Sequence, residues 1–213
     1  MGEKVESLKI NKIEKIYKYS LRRVRGLIKK VGSNIQGRLL CGKSVMIKHR
    51  SFIYNSGGGL VLGDYVEIDG FSKEGLRFGE NCSIGKYSIM RASSSYECPG
   101  EGIKIGNNFC CGDYSFFGAS GGIVIGDDVQ MGQAVRFHAQ NHNYSGTDLI
   151  RLQGVENKRI TIGNNCWIGS GSVFLAGVNI ESGCVIGANS VVTKSFTKNS
   201  VIAGNPARII KKR

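Results

Sequence analysis

The feature that most constrains this chain is a strict six-residue period in the segment 160–192. From Ile162 onward every sixth residue is apolar, and the residue two places before each one is small or β-branched. An α-helix needs apolar residues about every 3.6 positions, and a half-buried strand needs them at about every second position. The period of six therefore predicts short strands joined by tight turns, whose apolar faces become buried only when neighbouring repeats stack. The apolar series comprises Ile162, Ile168, Phe174, Ile180, Ile186 and Val192.

The same period continues upstream in three shorter runs. They consist of Phe78, Ile84 and Met90; Ile105, Cys111 and Phe117; and Ile125, Met131 and Phe137. Leu62 and Ile68 begin the clear series, and the poorly patterned segment 32–59 offers an earlier start of the wall at Leu39, Val45 and Ile47. Each run covers three six-residue sides, so one triangular coil takes about 18 residues. We predict an all-β fold, a parallel β-solenoid, with loops leaving the wall where the register slips.

The composition agrees with a solenoid. The chain has 31 glycines against two prolines among 213 residues, and glycine adopts the positive φ of tight turns without steric cost. No apolar run approaches the roughly 20 residues of a membrane-spanning helix, and no signal peptide is visible. The seven cysteines have no metal-type spacing, and Cys111, Cys166 and Cys184 fall on inward positions of the repeat. We interpret them as buried apolar residues and expect a cytoplasmic protein.

Residues 1–31 have a different pattern, with apolar residues at three- and four-residue steps that predict an amphipathic α-helix. The segment carries ten Lys or Arg residues against three Glu, which is +7 of the formal net charge of +13. Such a helix binds a membrane surface, or it lies on the solenoid with its lysine face in solvent, and the sequence leaves both open. Nucleic acid is not expected as a partner, because the aromatic residues occupy core positions. We divide the chain into this helix, 1–31, and a solenoid domain, 32–213.

Two polar segments, 91–102 and 139–159, interrupt the period and are predicted to leave the solenoid. The longer one contains the apolar residues Leu149 and Ile150, and long excursions from a compact fold are usually functional. The chain closes with a basic cluster, which consists of Arg208, Lys211, Lys212 and Arg213.

Three histidines are candidates for chemistry. His142 stands where the regular wall gives way to the longer excursion, a rigid edge that is suited to holding a catalytic side chain. His138 directly follows the core position Phe137, which favours a structural role. His49 lies between two basic residues, and we expect it to be exposed and without function.

Several motifs together resemble the hexapeptide-repeat acyltransferases. They are ITIGNNCWIGSG after His142, then GVNIESGCVIGANSVVTK, and the closing AGNPARII. The similarity covers roughly residues 60–213 and is closest to the sugar O-acetyltransferases of the galactoside and maltose type. The resemblance implies a left-handed parallel β-helix, a homotrimer, and acetyl-CoA as cosubstrate in a cleft between neighbouring subunits.

The resemblance also implies roles for individual residues. The catalytic histidine of the family falls on His142. Its tryptophan below the cofactor thiol falls on Trp167, and its pantetheine-contacting serine falls on Ser170. The positions near the adenine, the pantetheine arm and the ribose phosphate fall on Ala188, Thr193, Lys194 and Arg208. Each also has a plainer interpretation, as a small residue that a turn demands or as a solvated surface charge.

Two features depart from the family. The galactoside enzymes place an asparagine near the reacting centre, and the matching position here is Gly112, followed by Asp113. The donor to the oxyanion is therefore not carried over, and a backbone N–H is the alternative. The N-terminal helix also does not resemble the helical cap of those enzymes.

The sequence thus predicts a CoA-dependent O-acetyltransferase that acts on a carbohydrate hydroxyl, such as a surface-polysaccharide precursor. A neutral imidazole is poised to take the proton of a sugar hydroxyl near pH 7. The nearest alternative is the same chemistry on an antibiotic or an amino sugar. A zinc enzyme of the γ-carbonic anhydrase type, with three histidine ligands, is a further alternative, although we expect no metal. A scaffold that keeps only the fold is the remaining one.

Overall fold

The computed structural model describes residues 12–93 and 95–213. One α-helix, α1 (Lys12–Lys30), lies within the segment 1–31, and the first eleven residues of that segment lie outside the described part. Within 12–93 and 95–213, two short 3-10 helices span Arg50–Phe52 and Ile150–Leu152, and the other elements are short strands. Among the described residues, no helix is long and apolar enough to cross a membrane.

The strands follow α1 in chain order. They are β1 (Asn34–Ile35), β2 (Arg38–Cys41), β3 (Met46–Lys48), β4 (Ile53–Asn55), β5 (Gly59–Leu62), β6 (Glu67–Asp69), β7 (Leu76–Phe78), β8 (Cys82–Ile84), β9 (Ile89–Arg91), β10 (Ile103–Ile105), β11 (Cys110–Cys111), β12 (Phe116–Gly118), β13 (Ile123–Ile125), β14 (Gln130–Met131), β15 (Arg136–His138), β16 (Gln140–His142), β17 (Val155–Asn157), β18 (Ile160–Ile162), β19 (Trp167–Ile168), β20 (Val173–Leu175), β21 (Asn179–Ile180), β22 (Val185–Ile186), β23 (Val191–Val192), β24 (Ser200–Gly204) and β25 (Ala207–Lys212).

All of these strands except β16 and β17 form the three walls of a parallel β-solenoid, while β16 and β17 pair antiparallel within the longer excursion. The first wall has the order β1-β4-β7-β10-β13-β18-β21, the second β2-β5-β8-β11-β14-β19-β22-β24-β25, and the third β3-β6-β9-β12-β15-β20-β23. All neighbours within the walls are parallel except β24 and β25, which form an antiparallel hairpin at the end of the second wall. The chain therefore visits the walls in turn, one strand per wall in each coil.

Two edges of the triangular section position the candidate site. The glycine corner joins the second wall to the third, and its turns begin at Gly42, Gly63, Gly85, Gly112, Gly132, Gly169 and Gly187. The excursion corner joins the third wall to the first, and the segments 91–102 and 139–159 leave the solenoid there.

The inward positions of the repeat form one continuous core. Every apolar residue that the six-residue period selects is buried, from Leu62 to Val192, and so are the small residues two places before each member of the run 162–192. Phe117, Phe137 and Phe174 stack through the core, with ring centroids 5.2 and 4.7 Å apart. The wall begins earlier than the clear period suggests, because Ile35 and Leu39 are already buried in β1 and β2.

The coil length explains why the period is clean only near the C-terminal end. Ile162 and Ile180 are register partners on adjacent coils of the first wall, 18 residues apart as predicted. Ile105 and Ile125 are also partners but are 20 residues apart, since the chain makes a longer turn at the excursion corner. Extra residues at one corner shift the sequence pattern without disturbing the stacking of the walls.

Helix α1 covers the free edge of the second wall. The first strand of that wall, β2, pairs only with β5, and the helix crosses its other side at the buried residue Gly26. A Cβ atom on Gly26 would lie 1.9 Å from the carbonyl oxygen of Leu39. Glycine is therefore required for the helix to approach the strand this closely, and the helix closes the N-terminal end of the solenoid.

Candidate active site

Ser170 and Ala188 occupy equivalent places on successive turns of the glycine corner. The Ser170 hydroxyl accepts a hydrogen bond from the Gln133 N–H at 3.1 Å, and its carbonyl accepts one from the Asn189 N–H at 2.8 Å. Both side chains are exposed. Small exposed residues on successive turns leave a smooth strip along the corner, which suits an extended ligand.

Trp167 and Arg208 lie beside this strip on the second wall. Trp167 stands on β19 between Gln130 and Val185 of the neighbouring strands, with 60% of its surface exposed. Arg208 pairs with Ala203 across the terminal hairpin. The Ala203 side chain stacks against the turn that precedes Ala188. Arg208 therefore lies at the C-terminal end of the strip, where a cation is available to an anionic group.

His142, Thr193 and Lys194 lie at the other edge, the excursion corner. His142 is exposed on β16, opposite Val155 of β17. Thr193 and Lys194 follow β23 at the same corner, two coils later, and are also exposed. The Lys194 Nζ atom lies over the ring of Phe196, 5.7 Å from its centroid, and the residue is exposed.

The predicted site residues thus form two sets on separate edges of one chain. The strip set contains Trp167, Ser170, Ala188 and Arg208, and the excursion set contains His142, Thr193 and Lys194. The third wall separates the two corners, so one copy does not bring the histidine beside the strip. A site that uses both sets needs a second copy.

A groove runs along the outer face of the third wall and ends at the root of the longer excursion. We call it the third-wall groove; its volume is about 470 Å³. It is lined by Lys48, Asp69, Arg91, Ser93, Phe116, Gly118, Ser120, His138, Ala139 and Gln140. The lining combines hydrogen-bond donors and acceptors with the aromatic ring of Phe116. Such a mixture is expected where a polar organic ligand binds.

One carboxylate organises the basic groups of this groove. Glu67 accepts a hydrogen bond from Lys48 and another from Arg91, each at 3.1 Å. Partial burial works against ionisation of Glu67, but the hydrogen bond from Lys48 and the charge of Arg91 outweigh it, so its pKa lies below the usual value. Both cations are held along the wall, with Asp69 between their strands.

His138 lines the same groove on β15. Its ring lies 5.5 Å from that of Phe116, centroid to centroid, at an angle of 39°. Burial lowers the pKa of His138, and the neighbouring charge of Arg136 lowers it further. The neutral imidazole is therefore favoured at this position, in keeping with the structural role that the sequence indicates.

His49 is not the exposed histidine that the sequence led us to expect. Its Nδ1 atom lies 2.7 Å from Oδ1 of Asp69, and its Nε2 atom lies 3.2 Å from the Tyr96 hydroxyl. The ring also packs against Phe71, with the centroids 5.3 Å apart. These residues line a cavity of about 390 Å³ that shares Lys48, Asp69 and Ser93 with the third-wall groove. No local sequence pattern indicates this cluster, since its members come from three different coils.

The three histidines do not converge on one metal ion. His49 follows β3 and His138 ends β15, four strands apart in the third wall, which is about 19 Å at the usual strand spacing. Zinc ligands lie within about 2.3 Å of the metal. In the described part of the chain, no group of three or more His, Cys, Asp or Glu residues is arranged to hold an ion. The geometry therefore argues against a three-histidine zinc site.

Gly112 lies at the glycine corner, in the turn after β11. A Cβ atom there would lie 2.6 Å from the backbone nitrogen of Gln133 in the next coil. An asparagine thus does not fit without movement of the turn.

Comparison with known proteins decides the family. The profile described as bacterial transferase hexapeptide (six repeats) matches residues 159–194. The WbbJ protein of Escherichia coli is 31% identical over 166 residues, which is 74% of this chain and 71% of WbbJ. Its name assigns it provisionally to O-acetyl transfer in lipopolysaccharide biosynthesis. The chain belongs to the hexapeptide-repeat transferases.

Other members align over shorter stretches. The galactoside O-acetyltransferase of Escherichia coli is 40% identical over 89 residues, 42% of this chain and 43% of that enzyme. The chain spans less than half the length of the first curated relatives that it matches, 46% and 32% of them.

A solved structure shares the fold of this hexapeptide-repeat transferase. AntD, an N-acyltransferase from Bacillus cereus in complex with dTDP and 3-hydroxybutyryl-CoA, superposes with a TM-score of 0.58. The two chains are 20% identical, and the superposition covers 89% of this chain and 88% of AntD. The predicted fold class, a left-handed parallel β-helix with an N-terminal α-helix, is confirmed.

Proposed function

We propose that this hexapeptide-repeat transferase is a CoA-dependent O-acetyltransferase that acts as a homotrimer on a carbohydrate hydroxyl. One observation carries the proposal: the family's site positions form two sets at separate corners of the solenoid. A heterologous interface repeated around a threefold axis would bring the excursion corner of one copy beside the glycine corner of the next. Each site then takes His142 from one subunit and Ser170 and Ala188 from its neighbour.

The strip at the glycine corner fits the cosubstrate. Acetyl-CoA supplies the acetyl group as a thioester on an extended pantetheine arm. Ser170 and Ala188 present small exposed side chains along such an arm, and Arg208 provides a cation for a phosphate at the C-terminal end. Lys194 of the other subunit provides a second cation, since this residue is exposed and its ammonium group lies over the ring of Phe196.

His142 acts as the general base. Its imidazole takes the proton of the acceptor hydroxyl as the oxygen attacks the thioester carbonyl, and it returns this proton to the sulfur of the leaving CoA. A positioned general base of this kind raises the reaction rate by about 10²–10⁴-fold. Because Gly112 replaces the family's asparagine, we assign the stabilisation of the oxyanion to a backbone N–H group.

The third-wall groove suits the acceptor, since it ends at Gln140, two residues before His142. Its hydroxyl, amide and charged groups match the polar edges of a sugar, and Phe116 offers an apolar face. The names of WbbJ and the galactoside enzyme support a carbohydrate acceptor, such as a surface-polysaccharide precursor. Since acetyl-CoA is an intracellular metabolite, we place the reaction in the cytoplasm.

Subunit complementation tests the shared site. His142→Ala removes the base and Ala188→Phe fills the strip, so each variant alone should be inactive. When the two are co-expressed, sites built from one intact half of each copy regain function, and activity should return to about one quarter of wild type. If co-expression restores no activity although light scattering shows that both variants form trimers, the whole site lies within one copy.

An acceptor panel tests the reaction itself. Purified protein is incubated with acetyl-CoA and with sugars, lipid-linked sugars, amino sugars or chloramphenicol, and products are read by mass. Acetyl esters on sugars support the proposal. Acetyl amides on amino sugars, or acetylated chloramphenicol, would replace it with the alternative acceptors, and a protein that binds no CoA would be a scaffold.

A further inference from the structure

Helix α1 presents its apolar face to solvent and its basic face to the solenoid. Ile16, Val24, Leu27 and Ile28 are 54–62% exposed, and Val31 just after the helix is 70% exposed. The residues turned toward the solenoid are Arg22, Gly26, Lys29 and Lys30, which are buried or half-buried, and the half-buried Leu21 and Arg25 lie at the border between the two faces. The helix thus lies on the solenoid, as one interpretation of the sequence has it, but with the opposite face inward.

Gly26 fixes this orientation. At this residue the helix backbone lies so close to the backbone of Leu39 that the helix has no freedom to roll about its axis. With 3.6 residues per turn, Val24 and Ile28 lie roughly 160–200° around the helix from Gly26. Rotation that would bury these residues against the solenoid is therefore blocked by the close approach that holds the helix in place.

The direction of the apolar face limits what can cover it. The helix closes the end of the solenoid, so its outer face points along the solenoid axis rather than sideways from a wall. Neighbours in a cyclic trimer whose threefold axis runs along the solenoids meet at walls and corners. They leave this end face open, and the three helices of such a trimer would face the same way.

Basic residues flank the apolar face. Arg23 is exposed on one side of it, and Lys15 and Lys18 are exposed toward the N-terminal end of the helix. Arg25 lies along the other border and is half-exposed. A helix with a large apolar face and Lys or Arg at its borders is suited to lie in the interface of an anionic bilayer.

We propose that α1 docks the N-terminal end of the solenoid onto an anionic lipid surface, with Val24, Leu27 and Ile28 inserted among the acyl chains. The proposal does not depend on the acetyltransferase reaction, since lipid binding is measured without cosubstrate or acceptor. The threefold axis of the trimer would then stand perpendicular to the membrane, and the third-wall grooves would stay accessible from the solvent beside the membrane.

Vesicle sedimentation with the full chain tests the proposal. Wild-type protein should bind phosphatidylcholine vesicles that contain phosphatidylglycerol, and it should bind less at high salt and on phosphatidylcholine alone. The double variant Val24→Glu, Ile28→Glu should bind at least about tenfold more weakly, because it removes apolar surface and adds charges of the wrong sign.

The matched control is Leu149→Glu, Leu152→Glu, which makes the same kind of change at exposed apolar positions of the excursion. This variant should bind vesicles like wild type. A wild type that does not bind the anionic vesicles would overturn the proposal, and so would equal binding by the helix variant. A helix variant with a changed mass in light scattering but unchanged vesicle binding would show that a second copy covers the face instead.

A fluorescent variant measures insertion directly. Ile28→Trp adds an indole on the apolar face, and the contribution of Trp167 is subtracted with the wild-type spectrum. The added indole should shift its emission to the blue on anionic vesicles and be protected from an aqueous quencher. An indole that stays fully quenchable on bound vesicles would also overturn the proposal.

Discussion

The Nδ1 atom of His49 lies 2.7 Å from Oδ1 of Asp69, across two neighbouring coils at the excursion corner. Asp69 also accepts a hydrogen bond from the Phe71 N–H at 3.1 Å, so its carboxylate is held by two donors when His49 carries its proton on Nδ1. His49 thereby presents its other nitrogen to Tyr96, in the adjoining cavity of about 390 Å³. Asp69 also lines the third-wall groove, so the pair fixes one carboxylate of the groove toward the end farthest from the longer excursion.

Removing this pair should weaken acceptor binding. His49→Ala should raise the KM for the acceptor about five- to tenfold and leave kcat nearly unchanged, because it frees Asp69, which lines the groove and is placed to hold the acceptor rather than to act on the reacting hydroxyl. The KM for acetyl-CoA should not move, since the strip lies at another corner. Steady-state kinetics with each substrate varied in turn measures both constants.

Tyr96→Phe is the matched control, because it keeps the ring packing and removes only the hydroxyl; it should raise the acceptor KM less than His49→Ala does. If His49→Ala instead lowers kcat with the acceptor KM unchanged, the pair takes part in the chemical step rather than in binding.

Replacing the proposed base should abolish turnover and spare the fold. His142 is exposed on β16 and fills no core position, so His142→Ala should keep the wild-type melting temperature and trimer. Acetyl transfer should fall by about 10²-fold or more, a barrier increase of at least roughly 2.7 kcal/mol. Binding of CoA, measured by calorimetry, should change little. His138→Ala is the control: it should cost stability and, because His138 lines the acceptor groove, it should keep the transfer rate only at saturating acceptor. Transfer that is lost in it but retained in His142→Ala would move the base to His138.

The stability of the folded chain should depend on pH through His138. Its pKa is lowered in the folded state by burial and then by Arg136, from a usual value of 6.5. Below about 6.5 the unfolded chain binds this proton more readily than the folded one, so folding stability falls as the pH drops through that region. Above about pH 6.5, His138 is neutral in both the folded and the unfolded chain and no longer affects the folding stability.

His138→Gln cannot take up this proton. Its melting temperature should therefore fall less than that of wild type between about pH 7.5 and pH 5.5. Scanning calorimetry of both proteins in matched buffers measures the difference. Parallel losses in the two proteins would show that His138 does not titrate differently on folding.

Gly26→Ala should destabilise the docked helix, although alanine is the better helix former. In an exposed helix this change gains about 0.8–1.0 kcal/mol. Here the new methyl group would meet the Leu39 carbonyl oxygen at 1.9 Å, and overpacking of this kind costs about 1–3 kcal/mol. Hydrogen exchange should therefore show less protection in α1, while the solenoid strands keep theirs. Ser20→Ala, at an exposed position of the same helix, should not reduce protection.

The sequence alone determined the solenoid, because stacking repeats require an apolar residue at every inward position. That requirement appears as a period of six wherever no extra residues enter the corners, and Ile162 to Val192 is such a stretch. The sequence also predicted His142, Trp167, Ser170 and the other site positions, through motifs that resemble those of the hexapeptide-repeat acyltransferases.

Only the tertiary structure decided which of these residues share an edge. Residues 18 or more positions apart in sequence become neighbours when coils stack, and corner insertions make that distance irregular. His49, Asp69 and Tyr96 therefore meet without any local pattern, and His142 separates from Ser170 by a whole wall. The orientation of α1 was equally hidden, because amphipathic spacing defines two faces and does not say which one packs. The close approach of Gly26 to the carbonyl oxygen of Leu39 determines which face packs on the solenoid.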